Sequence, residues 1–166
     1  MQKLARRCVL GASVVLLGAV GSALPALASG GGTYEHVQQV RARTLLKADL
    51  VGSLTTDPTL YGVAPGGVNW TESRSKVTVK TDGRVDARVR TLLVTSTNAN
   101  PVPQISASLV CNGAVVDTVG PVPFTTSGDA RIKDTFTVPA RCLAPAVLLN
   151  PLERVGTYIA ASGVAG

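Results

Sequence analysis

Apolar residues in this chain recur at alternate positions in short runs, and the clearest runs lie between Lys76 and Leu93 on either side of Thr81-Asp82-Gly83. A period of two is that of a half-buried strand, and the length of the intervening loop follows from asking which register sets apolar against apolar. A two-residue Asp-Gly loop pairs Val79 with Asp86 and Lys80 with Val85, which buries charge. A three-residue loop pairs Val79 with Val85, Val77 with Ala87 and Ser75 with Val89. Lys76, Thr78, Lys80, Arg84, Asp86 and Arg88 then share the opposite face. The pattern predicts a type I turn with a G1 bulge, Gly83 taking the left-handed conformation.

Asn112-Gly113 marks a second hairpin, here with a two-residue loop that pairs Cys111 with Ala114 and Leu109 with Val116. Ile105, Ala107, Leu109 and Cys111 form its inner face, and Ser106, Ser108 and Asp117 are expected outside. Further strands are predicted over 45–54 (Leu46, Ala48, Leu50 and Leu54 on one side), 130–138, 146–149 and 157–161. Strict alternation turns Asp134 inward, so a bulge or an edge position is expected there, because an unpaired buried carboxylate is too costly. Pro101-Val102-Pro103 and Pro121-Val122-Pro123 suit crossings or edges rather than central strands. Residues 33–44 are ambiguous, since Val37 and Val40 permit a helical turn whereas Gly30-Gly31-Gly32 suggests a frayed leader. About eight short strands at this spacing predict an all-β fold, an antiparallel β-sandwich that is immunoglobulin-like in the broad sense. Cys111 and Cys142 are 31 residues apart with no Trp between them, unlike the antibody pattern, so the expectation is of an architecture and not of that family.

The N-terminus breaks the alternation. Lys3, Arg6 and Arg7 precede an apolar run from Val9 to Leu24, and Pro25-Ala26-Leu27-Ala28 closes it with a helix breaker and an Ala-x-Ala site. This predicts a signal peptide over 1–28, cleaved after Ala28, and a secreted protein with no membrane span once cleavage has occurred. An uncleaved anchor fits less well because small residues and Pro25 interrupt the run. Arg6-Arg7-Cys8-Val9-Leu10 also fits the twin-arginine export pattern loosely. The expected organisation is therefore signal peptide, a leader over 29–44, and a β-sandwich domain over 45–166.

Removing the leader changes the composition. The whole chain of 166 residues is 45% apolar and 16% charged, with 16 Lys+Arg against 10 Asp+Glu and a formal charge of +6. Three of the basic residues lie in the signal, so the secreted part has 13 against 10, a charge of +3. The excess of 24 Val over 3 Ile, with 17 Gly and 10 Pro, is that of strands joined by turns. Of the three Cys, Cys8 falls in the signal, and Cys111 and Cys142 form an even pair that predicts a disulfide in an exported protein.

Few residues are left for chemistry. The single His, His36, lies in the leader, and a bridged cysteine pair supplies no thiolate, so triads, Cys-His dyads and most zinc sites lack their parts. Glu72, Asp82, Asp86, Asp129 and Asp134 have no spacing that singles out a catalytic pair. Ser127-Gly128-Asp129 reads as a turn rather than a calcium loop, and Gly66-Gly67 lacks the strand and helix of a phosphate cradle. Asn69-Trp70-Thr71 fits the glycosylation pattern by accident. The expectation is of a non-enzyme without cofactor or metal.

Two features stand above this background. Arg74, Lys76, Lys80, Arg84, Arg88 and Arg90 fall within 17 residues, accompanied there only by Asp82 and Asp86, and the register sets Lys76 against Arg88 and Lys80 against Arg84. Like charges facing each other cost stability unless they are screened or bound, so this is a candidate face for an anionic surface. The plainer reading of the same pattern is a solvated face whose cations oppose edge pairing. Nucleic acid is disfavoured because no aromatics interleave the charges. The second feature is the stretch 55–69, where Leu60, Tyr61 and Val63, with Trp70 just beyond, form a candidate contact loop for a protein partner or a cap over the open end of the fold.

The segment from Ala107 to Tyr158 contains Ser108-Leu109-Val110-Cys111-Asn112-Gly113, Gly128-Asp129-Ala130-Arg131-Ile132, Pro139-Ala140-Arg141-Cys142, Ala144-Pro145-Ala146-Val147-Leu148-Leu149-Asn150-Pro151 and Tyr158-Ile159-Ala160. It resembles small uncharacterised secreted proteins of high-GC Gram-positive bacteria over the C-terminal third. The resemblance implies secretion and paired cysteines, and no activity or functional residue. The expected function is a non-enzymatic binding or structural module at the cell envelope, meeting an anionic polymer or a protein partner. The alternative is a secreted inhibitor or small-ligand carrier using the 55–69 loop.

Overall fold

The computed structural model describes residues 41–163. The expected signal peptide, most of the 29–44 leader and His36 lie outside the described residues. Twelve strands follow: β1 (Thr44–Gly52), β2 (Ala64–Pro65), β3 (Trp70–Thr71), β4 (Lys76–Lys80), β5 (Arg84–Val89), β6 (Leu93–Val94), β7 (Gln104–Cys111), β8 (Ala114–Pro123), β9 (Ala130–Thr135), β10 (Ala146–Pro151), β11 (Thr157–Tyr158) and β12 (Ala160–Ser162). Among the described residues there is no helix, and none long and apolar enough to cross a membrane. The fold is all-β.

Eight strands form one antiparallel sheet in the order β8-β7-β10-β12-β1-β4-β5-β9. The sheet is nearly closed: its edges β8 and β9 come together, and the N–H of Thr137 donates to the Asp117 carboxylate at 2.6 Å across the seam. β1 makes the bend possible, because Thr44–Asp49 pairs with β4 while Leu50–Gly52 pairs with β12. Two short pairs, β2 with β11 and β3 with β6, lie outside this sheet.

The first hairpin has the register that the alternation predicts, Val79 opposite Val85 and Val77 opposite Ala87, with Gly83 at φ 88°. Its inward residues Val77, Val79, Val85, Ala87 and Val89 are buried. Asp134 is exposed on the edge strand β9, which removes the cost of turning a carboxylate inward. Cys111 and Cys142 form the disulfide, tying the end of β7 to the segment before β10.

The second hairpin departs from expectation in two ways. Asn112 and Gly113 form the left-handed two-residue turn with Cys111 opposite Ala114, but a bulge between Leu109 and Val110 sets Leu109 against Asp117 instead of Val116. Ser106 and Ser108, expected outside, are buried. The reason is a second small core on the far side of β7, β10 and β12, built from Val63, Val110, Ala146, Leu148, Tyr158 and Ala161. Ser108 donates to Asn150 Oδ1 at 2.7 Å and shares a 2.8 Å hydrogen bond with Thr118. Asn150 Nδ2 in turn donates to the Thr157 carbonyl at 2.8 Å, so the polar groups are satisfied where the strand is covered on both faces. Leu54, expected in line with Leu50, lies beyond β1 and is exposed.

Candidate functional site: a basic sheet face

Burial of the inward valines of β4 and β5 turns their alternate residues to solvent, and the neighbouring strands extend the face. Asp49, Lys76, Arg88 and Arg131 stand opposite one another across β1, β4, β5 and β9. Lys47, Thr78, Asp86 and Lys133 form the next row. Three cations in line on adjacent strands repel, and Asp86 relieves them. Arg131 donates to it twice, Nε to Oδ1 at 3.1 Å and Nη2 to Oδ2 at 2.8 Å, and Arg88 Nε lies 3.7 Å away. The Arg131 hydrogen bond holds the Asp86 carboxyl below its ordinary pKa against a smaller opposing effect of burial, and the charges of Arg131, Arg88 and Lys133 add to the lowering. The same hydrogen bond raises the Arg131 guanidinium pKa.

The six cations singled out in the sequence do not behave alike. Arg84 Nε is paired with Asp82 at 2.8 Å, and Lys80 Nζ donates to Thr44 Oγ1 at 2.9 Å. These two line a concavity of about 530 Å³ together with Asp86, Lys133 and Asp134, where both signs of charge meet. Arg74, Lys76, Arg88 and Arg90 instead line a second concavity of about 500 Å³ with Ser73 and Thr91, whose lining contains no carboxylate. Lys76 has Asp49 at 3.8 Å, and among the described residues Arg74 and Arg90 have no ion pair.

This second concavity sits where β4 begins and β5 ends, and its backbone is unusual. Arg74 is at φ 57° and Thr91 at φ 50°, left-handed conformations that are uncommon for any side chain and more so for a β-branched one. Each costs roughly 1 to 3 kcal/mol and persists only where surrounding bonds enforce it. Here Ser73 N–H donates to the Arg90 carbonyl at 3.0 Å, Arg90 N–H donates to Ser75 Oγ at 2.9 Å, Thr91 N–H donates to Asp129 Oδ1 at 3.2 Å, and Leu92 N–H donates to the Gly128 carbonyl at 2.9 Å.

The four residues of the candidate contact loop, for which the sequence allows either a partner patch or a cap over the open end, are not alike in exposure. Val63 and Trp70 are each 4% exposed and belong to the two cores. Leu60 packs partly against the smaller core, and only Tyr61 of the four is exposed. The stretch is pinned by Thr55 N–H to Asn69 Oδ1 at 2.8 Å, by Gly66 N–H to the Tyr158 carbonyl at 2.8 Å and by Trp70 N–H to the Ser53 carbonyl at 2.8 Å. The Tyr158 hydroxyl donates to the Pro58 carbonyl at 2.9 Å; burial, and secondarily the charge of Asp57, push its pKa up. A cleft of about 180 Å³ opens between Leu54, Pro58, Leu60 and Tyr158.

The remaining candidate groups are accounted for locally. Asp129 accepts from the Thr91 N–H and from Ser127 Oγ at 2.8 Å, the work of a turn residue. Asp82 and Asp86 each serve an arginine. Among the described residues no three His, Cys, Asp or Glu side chains are grouped to hold a metal ion. Sequence reasoning missed Lys47, Arg131 and Lys133 as members of the basic face. Arg131-Ile132-Lys133 does show the alternation that turns both cations outward, but nothing local says that β9 pairs with β5. Comparison with protein-family models, curated proteins and solved structures finds no match to this chain.

Proposed function

We propose that this chain is an exported, non-enzymatic β domain that binds an anionic polymer of the cell envelope through the outer face of β4, β5 and β9. The observation that carries this reading is the gathering of cations from three strands on one face, with a concavity lined by Arg74, Lys76, Arg88 and Arg90 and no carboxylate. Such a face concentrates polyanions and releases their counterions on binding. The signal-like N-terminus and the disulfide support export, and the scarcity of catalytic side chains supports a binding role. The absence of aromatics among the face residues argues against nucleic acid. We read the nearly closed sheet as two packed layers that share β1, a sandwich in the broad immunoglobulin-like sense.

The alternative, an inhibitor or small-ligand carrier using the 55–69 loop, has the cleft beside Leu60 in its support. At about 180 Å³ that cleft lies below the usual size of a ligand pocket, roughly 300 Å³ and upward. A pull-down on purified cell wall at increasing salt separates the two readings. Retention that falls with salt and is abolished by Arg84→Glu with Arg88→Glu is the expected result. Retention unchanged in that variant but lost in Leu54→Ser with Tyr61→Ser overturns it.

A further inference from the structure

Resting on that reading, we infer that the concavity at the start of β4 and end of β5 is a binding site for the phosphate groups of such a polymer, and that Arg74 and Arg90 are its primary ligands. The rest of the basic face contributes only long-range attraction. Four features of the concavity point there. The first is the division of the cations. Arg84 and Arg131 are committed to Asp82 and Asp86 at 2.8 Å each, whereas Arg74 and Arg90 have no ion pair among the described residues. Their guanidinium donors remain available to a ligand without first breaking a pair.

The second is the lining. Ser73 and Thr91 line the concavity with the four cations, so hydroxyl as well as charged donors are present there. A tetrahedral phosphate pairs with an arginine fork as a carboxylate does and keeps further oxygens out of that plane for a second donor, so it can use more of such a set. The third is size. A concavity of about 500 Å³ is within the usual size of ligand sites, roughly 300 to 1,000 Å³, and so has room for a group larger than a single ion.

The fourth is the backbone. Arg74 and Thr91, which both line the concavity, hold left-handed conformations. Strain of this kind collects at ligand sites, where the surrounding structure fixes a geometry that the residue would not choose. Arg74 gains nothing from its conformation through hydrogen bonding of its own side chain, since none is made among the described residues.

The test measures binding of the purified full chain to short linear polyphosphate, with polyglutamate and a single-stranded oligothymidylate as comparison probes. Arg74→Gly with Arg90→Gln is compared with Lys80→Ala with Arg84→Ala. Glycine takes φ 57° freely, so the first variant is expected to melt no lower than the original through its position 74. Polyphosphate is expected to bind in a salt-sensitive manner, about tenfold more weakly in the Arg74/Arg90 variant and within about twofold of the original in the Lys80/Arg84 variant. Equal weakening by the two variants, or binding of polyglutamate as tight as polyphosphate, overturns the site. Tighter binding of the oligothymidylate than of polyphosphate makes the partner a nucleic acid and overturns the envelope polymer as the ligand. The outcome also separates this site from the broader reading. Wall retention that survives Arg74→Gly/Arg90→Gln and falls with Lys80→Ala/Arg84→Ala leaves the basic-face function standing and removes the pocket, whereas polyphosphate binding without wall retention does the reverse.

Discussion

Arg131 and Asp86 are joined by two hydrogen bonds across β9 and β5, although neither is the other's direct partner in the sheet. Arg131 stands opposite Arg88 and Asp86 opposite Lys133, so the pair is a diagonal one. A single carboxylate thus lies among three cations and partly neutralises the charges of Arg88, Arg131 and Lys133 around it. Removing it leaves those cations facing one another. Asp86→Ala is therefore expected to lower the melting temperature at low salt, and raised salt should restore much of the loss by screening the exposed cations.

The same pair gives a pH dependence with a defined sign. The folded-state pKa of Asp86 lies below its unfolded value of about 3.9, because Arg131 favours the charged form. The stabilisation is therefore complete above roughly pH 5 and is lost as pH falls through the folded value. Denaturant titrations of the original and of Asp86→Ala should differ at pH 7 and converge toward pH 2. A difference that persists in acid would mean that Asp86 acts through packing rather than charge.

Gly83 supports a sharper expectation. At φ 88° it is left-handed, and a Cβ there would collide with the Phe136 carbonyl, to which the chain is bound through Phe136 N–H donating to the Gly83 carbonyl at 2.9 Å. Neither the turn nor β9 can move without breaking that bond. Gly83→Ala should cost roughly 2 to 4 kcal/mol, measured as a shift in the denaturation midpoint with an unchanged slope.

That glycine also marks how far the sequence could be read. Its turn, its bulge and the pairing of Val79 with Val85 are local, and a two-fold alternation specifies them because a slip by one residue would expose every valine. The burial of Ser106 and Ser108 was not legible, since it depends on Tyr158 and Val63 folding over β7 and β10 from distant parts of the chain. Two serines in a strand covered on both faces look like the polar half of an alternation. The candidate site divides in the same way. The hairpin cations could be read from their spacing, but their separation into committed and unpaired arginines depends on Asp82, Asp86 and strand β9, and no periodicity reports an ion pair.

The seam of the sheet rests on Asp117. Its carboxylate accepts from the Thr137 N–H at 2.6 Å and from its neighbour Thr118 N–H at 2.8 Å. The Thr137 backbone bond, ahead of an opposing effect of burial and with help from Thr118, lowers its pKa. Asp117→Ala removes the acceptor on which the two edges meet and should cost about 1 to 3 kcal/mol. Asp117→Asn keeps an acceptor and should cost less. Because the folded pKa is depressed, the contribution is present above the ordinary carboxylate range and is lost as pH falls through the folded value. Hydrogen exchange at the Thr137 amide should accelerate in Asp117→Ala at neutral pH, and an unchanged rate would show that the seam is held by other contacts.

Asn150 joins the two sides of the sheet's most covered region. It is 0% exposed, its Oδ1 accepts from Ser108 and its Nδ2 donates to the Thr157 carbonyl. Asn150→Ala leaves the Thr157 carbonyl without this donor and opens a cavity at a fully buried position, and should cost about 2 to 4 kcal/mol. Ser108→Ala alone removes one donor and leaves Asn150 bound to Thr157, so about 1 to 2 kcal/mol is expected. Since Ser108 and Asn150 contact each other, the double variant should lose less than the sum of the two single losses. Thermal melts of the four proteins measure this coupling. Strict additivity would mean that the Ser108–Asn150 hydrogen bond contributes nothing.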